Sequence, residues 1–147
     1  MRRLLLPLLI CAALLTRLPA QQAAPNLQAQ AEAAEGKKRA QLFMELAAQG
    51  VDEASRLFAD GKMEAAHAAV TKAVADAEQA SDAARKSHKR LKQTEISVRQ
   101  LARRLTEVGA GLPFEDRETL KASLQKLEEI RRQLLEEMFG KKKKVEP

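Results

Sequence analysis

Two histidines, one cysteine and no tyrosine or tryptophan are a sparse set of reactive groups for a chain of 147 residues. His67 and His88 stand three whole heptads apart. On one helix they share a face but lie ~31 Å from each other, so a single chain cannot bring them to one metal ion. They read as solvated polar positions. Glu128-Glu129 and Glu136-Glu137 are acidic pairs at i and i+8. Nothing nearby in sequence suggests the apolar pocket or partner base that would raise a carboxyl pKa for acid–base work. No serine, histidine and acid grouping is recognisable. These residues argue against an enzyme and imply no cofactor and no metal.

Cys11 belongs to a different signal. Met1-Arg2-Arg3 is a positively charged start, Leu4 to Leu15 is apolar, and Leu18-Pro19-Ala20 places a small residue before Gln21. That order of charge, apolar run and small residue predicts a secretory signal peptide over residues 1–20. A membrane span needs ~20 apolar residues, and this run meets Arg17 first. Ile10 before Cys11 is bulky where a lipoprotein signal carries a small residue. Loss of Arg2, Arg3 and Arg17 lowers the 26 Lys and Arg to 23, and against 20 Asp and Glu the net charge falls from +6 to +3. The mature chain is expected to be periplasmic or extracellular and without a thiol, so packing alone holds it.

Two basic blocks remain: Arg85-Lys86-Ser87-His88-Lys89-Arg90-Leu91-Lys92, and the tail Lys141, Lys142, Lys143 and Lys144. Nucleic acid is not the expected partner, because no aromatic residue for base stacking lies within either block. The tail lysines suit the negative end of a preceding helix, with contact to an anionic membrane surface as the functional alternative.

The elements that position these groups are all helical. Ala, Leu, Lys, Arg, Glu and Gln dominate, and Gly and Pro together number 11, which excludes a β-sandwich or barrel. Residues 21–26 form a polar, proline-marked arm. Ala29, Ala33, Gly36, Ala40, Phe43, Ala47, Gly50, Ala54 and Leu57 then recur at alternating spacings of three and four, predicting one helix over about 27–59, with Gly50 as its candidate kink. Asp60-Gly61 makes a turn. The heptad phase of Met63, Val70, Ala77, Ala84, Leu91, Val98 and Leu105 predicts a second helix of about 62–108, ~70 Å long. Gly109, Gly111 and Pro113 end it. Leu120, Leu124, Leu127, Ile130, Leu134 and Met138 mark a third helix over about 114–139, with Glu115, Asp116 and Glu118 in its first turn.

Antiparallel hairpins fix which seams meet. Around Gly61, Leu57 faces Ala66, Ala54 faces Val70, Gly50 faces Ala73, Ala47 faces Ala77 and Phe43 faces Ala80. Small residues on both sides let the axes approach to ~8 Å. Around Gly111, Leu105 faces Leu120, Leu101 faces Leu124, Val98 faces Leu127 and Leu91 faces Leu134. The expected fold is therefore all-α: an elongated antiparallel three-helix domain over 27–139, with a long central helix, followed by a basic tail over 140–147.

Residues 54–73 resemble one tetratricopeptide unit. Ala54, Leu57, Phe58, Gly61, Met63, Ala66, Val70 and Ala73 stand where that family places its packing residues, and Gly61-Lys62-Met63-Glu64-Ala65-Ala66 resembles its turn and second-helix opening. Glu78 stands where the motif has its closing proline, Glu53 and Gly50 replace apolar and aromatic positions, and no second copy follows at the family's period. The resemblance implies protein binding.

Met44, Val51 and Phe58, spaced by seven beside the first seam, form a second apolar stripe that the last helix, paired at the other end, would leave bare. Either Val74 and its neighbours cover this stripe, or it is a candidate face for a protein partner or a second copy. The expected function is an exported, non-enzymatic helical adaptor that binds another envelope protein or itself. A periplasmic holdase-type chaperone and an exported helical metal or stress sensor are the alternatives.

Overall fold

The computed structural model describes residues 26–140, so the expected signal peptide, most of the arm and Lys141 to Lys144 lie outside the described residues. The described residues are all-helical, with five helices in place of the three expected: α1 (Leu27–Ala33), α2 (Gly36–Ala59), α3 (Met63–Ser87), α4 (Leu91–Ala110) and α5 (Phe114–Phe139). The last of these has the boundaries expected from its leucine spacing.

The first expected helix breaks at Ala34 and Glu35, not at Gly50. Both residues are extended, and Gly36 follows at φ +51°, a conformation that glycine adopts without a Cβ clash. The break lets α1 turn back over the hairpin. Ala31 is buried with Leu42, Phe43 and Ala80, flanked by Leu27, Ala34 and Leu46. Arg39 holds the turn by donating from Nη1 to the Ala31 and Glu32 carbonyls at 3.2 and 2.9 Å, satisfying acceptors that a helix end leaves orphaned. Its guanidinium also lies 4.7 Å from the centre of the Phe43 ring.

Gly50 stays inside α2 because it is a contact point. A Cβ there would lie 2.9 Å from Ala73 Cβ, so the backbones of α2 and α3 meet at the pair of small residues expected to face each other. The same register persists to the far end of the hairpin, where a Cβ on Gly36 would lie 3.5 Å from Ser87 Cβ. Gly61, at φ +74°, closes the hairpin. Lys62 N–H donates to Leu57 O at 2.9 Å and Gly61 N–H to Phe58 O at 3.1 Å, the paired bonds of a left-handed helix cap.

The long central helix is also divided. His88 and Arg90 have φ values of 52° and 59°, and α3 ends with the same pair of bonds seen at Gly61: Lys89 N–H to Ala84 O at 3.2 Å and His88 N–H to Arg85 O at 3.3 Å. Ser87 assists, its hydroxyl donating to Ala83 O at 2.7 Å and accepting from Lys89 N–H at 3.3 Å. A left-handed residue other than glycine costs about 1–2 kcal/mol. The break is repaid by tertiary contact, because α4 no longer extends α3 but returns along α2.

Cross-helix pairs define the stacking. Along α3 and α5, His67 meets Asp116 at 2.9 Å, Glu78 meets Lys126 at 2.7 Å, Arg85 meets Gln133 at 2.9 Å and His88 meets Glu137 at 3.0 Å. Each pair is separated by 48 or 49 residues, so the two helices run parallel in one register from end to end. Arg104 of α4 pairs with Asp52 of α2, while Arg90 lies beside Ala40 and Gln41, so α2 and α4 are parallel too. Within the second hairpin, Arg131 Nε donates to Glu95 Oε1 at 2.7 Å, and a Cβ on Gly109 would touch Leu120 Cδ1 at 3.4 Å. The result is two antiparallel hairpins, α2–α3 and α4–α5, stacked the same way up. Between them lies one core of Val51, Val70, Ala77, Val98, Leu101, Leu105, Leu120, Leu127, Ile130 and Leu134.

Candidate functional site

Each residue of the expected binding stripe has a definite place. Val51 and Phe58 retain only 2% and 5% of their surface. They belong to the core, because α4, freed by the break at His88, lies along this side of α2. Arg104, Glu107 and Val108 flank Val51, and the His67 ring stands edge-on to Phe58 with centroids 5.0 Å apart. Val51 therefore packs against the chain's own second hairpin and Phe58 against α3. Met44 alone is half-buried and reaches a surface groove.

His67 departs from its expected role as a solvated position, whereas His88 keeps it, with 59% of its side chain exposed. His67 is mostly covered and donates from Nε2 to Asp116, while His88 caps α3 and meets Glu137 through Nδ1. Both tie α3 to α5. The sequence held a signal for this, since Asp116 and Glu137 stand the same distance apart as His67 and His88. It becomes readable only once the two helices are known to be parallel. Among the described residues no group of three or more His, Cys, Asp or Glu gathers where a metal ion could be held.

The charged groups on α5 are largely committed to structure. Glu95 is buried, and its hydrogen bond raises the Arg131 guanidinium pKa further above its ordinary value. Hydrogen bonds from Arg132 and then Gln133 hold the Glu129 carboxyl down to about 2. The Glu78 carboxylate raises the Lys126 ammonium. Glu136 is also bound, by Arg132. The acidic pairs singled out in the sequence are thus partnered groups, with Glu128 and Glu129 bridged to Arg131 and Arg132 and Glu137 to His88.

What remains open is the groove between the parallel helices α2 and α4, about 340 Å³ in volume. Its apolar floor is Ala40, Met44, Ala48 and Leu101, and its rim carries Gln41, Glu45, Gln93, Ser97, Gln100, Arg90 and Arg104. Parallel stacking creates it: the outward flanks of two side-by-side cylinders leave a channel that a third helix fills in a larger bundle. Thr94 is 3% exposed and lines the same channel. Among the described residues, the side chains of Gln41, Gln93, Thr94, Ser97 and Gln100 take no hydrogen bond, in contrast to the paired groups of α5. A shallow apolar floor ringed by uncommitted donors and acceptors is the anatomy of a binding site rather than of a sealed core. Sequence reasoning missed it because Gln93, Ser97 and Gln100 face a neighbour only after the chain breaks at His88.

No helix among the described residues is long and apolar enough to cross a membrane. Comparison with protein-family models, curated proteins and solved structures finds no match.

Proposed function

We propose that this chain is an exported, non-enzymatic helical adaptor that holds a segment of a protein partner in the groove between α2 and α4. The observation that carries the reading is the set of uncommitted side chains, Gln41, Gln93, Ser97 and Gln100, around the apolar floor of Met44, Ala48 and Leu101. An extended or helical peptide satisfies both parts, burying an apolar side chain against Met44 and Leu101 while its backbone or polar groups bond to the rim. Arg104, paired with Asp52, gives one wall a cation. The resemblance of residues 54–73 to a tetratricopeptide unit implies the same class of function. Export rests on the charged, apolar and small-residue order of residues 1–20.

The test places a photo-crosslinking residue at Gln93 and, as a control, at Lys121 on α5, outside the groove, in the native host. The adaptor reading predicts one stoichiometric adduct from position 93, reduced at least tenfold when Ser97→Arg fills the groove. Many unrelated adducts would favour the holdase alternative. An adduct of equal yield from position 121 would exclude the groove as the binding face.

A further inference from the structure

The stacked topology brings together basic residues that the sequence keeps apart. Because α3 and α5 are parallel and α2 and α4 run against them, one pole of the molecule holds the start of α2, the end of α3, the start of α4 and the end of α5. Gly36 against Ser87, Arg90 against Gln41 and His88 against Glu137 fix that convergence. Lys37 and Lys38 arrive with α2, Lys86 with α3, and Lys89, Arg90 and Lys92 with the connection into α4. Five of the six are exposed, with Arg90 half-buried. Among the described residues none of the six has an ion-pair partner, whereas Arg56, Lys72, Arg85, Arg103, Arg104, Lys121, Lys126, Arg131 and Arg132 all do and Arg39, Lys62, Arg99 and Arg117 do not. The acids of this pole are mostly engaged: Glu32 accepts from Gln28, Asp82 from Arg85 and Glu136 from Arg132, while His88 pairs with Glu137, leaving Glu35.

Three of these cations also stand where a stable fold has no use for them, while Lys86 and Lys89 sit at the end of α3, where positive charge suits the helix dipole. A helix start favours acids, and α3 and α5, which begin at the opposite pole, carry Glu64 and Glu115 with Asp116 in their first turns. Helices α2 and α4 have no acid there. Instead Lys37 and Lys38 occupy the first turn of α2 and Lys92 that of α4, where positive charge opposes the helix dipole. A local rule broken twice at one end, in two helices far apart in sequence, marks a surface kept for something outside the fold. Phe139, one of two large apolar residues left bare, is 63% exposed at the same pole. The chain leaves α5 there, and the next four residues in sequence are lysines.

We infer that this pole is a docking surface for anionic lipid headgroups. Its area is a blunt end face made of helix termini, which needs no complementary shape. Five of its six unpaired cations are lysines, point charges suited to a diffuse headgroup layer, whereas nucleic-acid and phosphopeptide recognition favours the forked guanidinium of arginine. Phe139 provides an interfacial anchor beside the charge. The surface shares Arg90 with the rim of the α2–α4 groove, but its five lysines lie outside that groove and the inference does not depend on that proposal.

The experiment is flotation of the full mature chain with vesicles of phosphatidylcholine alone or enriched in phosphatidylglycerol, at low and high salt. Binding is expected only to the anionic vesicles and is lost at high salt. At ~1 kcal/mol, or about fivefold, per basic residue near the surface, Lys37→Gln, Lys86→Gln and Lys89→Gln together should weaken it about 100-fold. The control pair Lys62→Gln and Arg117→Gln, at the opposite pole, should leave it unchanged. These exposed substitutions keep the helical circular dichroism signal, which is read alongside. Undiminished flotation of the triple variant overturns the inference. So does binding to duplex DNA without binding to vesicles, or concentration-dependent self-association in vesicle-free buffer that the triple variant abolishes, since either would assign the pole to a different partner.

Discussion

Substituting Gly50 with Ala sets two opposed effects against each other at the closest approach in the molecule. Within a helix, Gly→Ala is favourable by about 1 kcal/mol. Here the new methyl group would lie 2.9 Å from Ala73 Cβ and 3.4 Å from Ala73 Cα. Neither neighbour is the end of a flexible side chain, so α2 and α3 must separate along a seam that also holds Ala47, Ala54, Ala66 and Ala77. Overpacking of this kind costs about 1–3 kcal/mol. The net expectation is a loss of up to ~2 kcal/mol, which for a domain of this size lowers Tm by roughly 4–8 °C per kcal/mol. The reciprocal change Ala73→Gly loses helix propensity and a buried methyl, together about 1–2 kcal/mol. When both are made, the propensities cancel and the methyl crosses to the other helix, so the double variant should be close to the parent. Urea unfolding followed by circular dichroism measures all four corners of this cycle. A coupling of at least ~1 kcal/mol is predicted. Additive effects, or a Gly50→Ala variant more stable than the parent, would refute the close contact.

Further predictions follow from the charged pairs and the breaks. Glu95→Ala removes a buried carboxylate from Arg131, whose side chain is one-third exposed, and should destabilise by about 1–2 kcal/mol after allowing for solvent at the guanidinium. Replacing both residues with Leu should recover most of that loss in the same unfolding assay. Glu129 titrates near 2 when folded and near 4.5 when unfolded, so its contribution is complete above the unfolded value and disappears as pH falls from 4.5 toward 2. Glu129→Gln should flatten that part of the acid-unfolding curve, and a side-chain NMR titration should find no transition at Glu129 above pH 4. Arg90→Gly relieves a left-handed conformation and should stabilise the chain by up to ~1 kcal/mol; a loss of more than 1 kcal/mol would mean that the Arg90 side chain holds α4 in place.

The parts of the fold visible in the sequence were those fixed by local spacing. The leucines of α5, the Gly61 turn and the meeting of Gly50 with Ala73 each depend on residues close along the chain or mirrored around one turn. The breaks were hidden because the apolar phase passes through them undisturbed: Ala33, Gly36 and Ala40 keep their alternation, as do Ala84, Ser87 and Leu91. A heptad repeat records which side of a helix is apolar and carries no information on whether the helix is continuous. The left-handed positions after α3 fall on His88 and Arg90, neither of which advertises a turn as Gly61 does. From that one omission came the errors at the site. With α4 extended away from α2, Val51 and Phe58 seemed bare, His67 seemed solvated and the groove residues Gln93, Ser97 and Gln100 had nothing to face. The same omission kept the basic block at 85–92 apart from Lys37 and Lys38.

Parallel stacking of the two hairpins underlies both the groove and the basic pole, and one distance tests it. Spin labels at Ala68, near the start of α3, and at Ala110, the last residue of α4, sit on exposed positions. In a helix continuous from residue 62 as far as Ala110 they would be about 63 Å apart at ~1.5 Å per residue. In stacked hairpins both labels lie at the same pole, separated by neighbouring helix axes ~8–10 Å apart and by the label linkers. Pulsed electron–electron resonance should give a single population shorter than about 30 Å. A population centred near 60 Å would contradict the stacked arrangement and, with it, the groove and the pole.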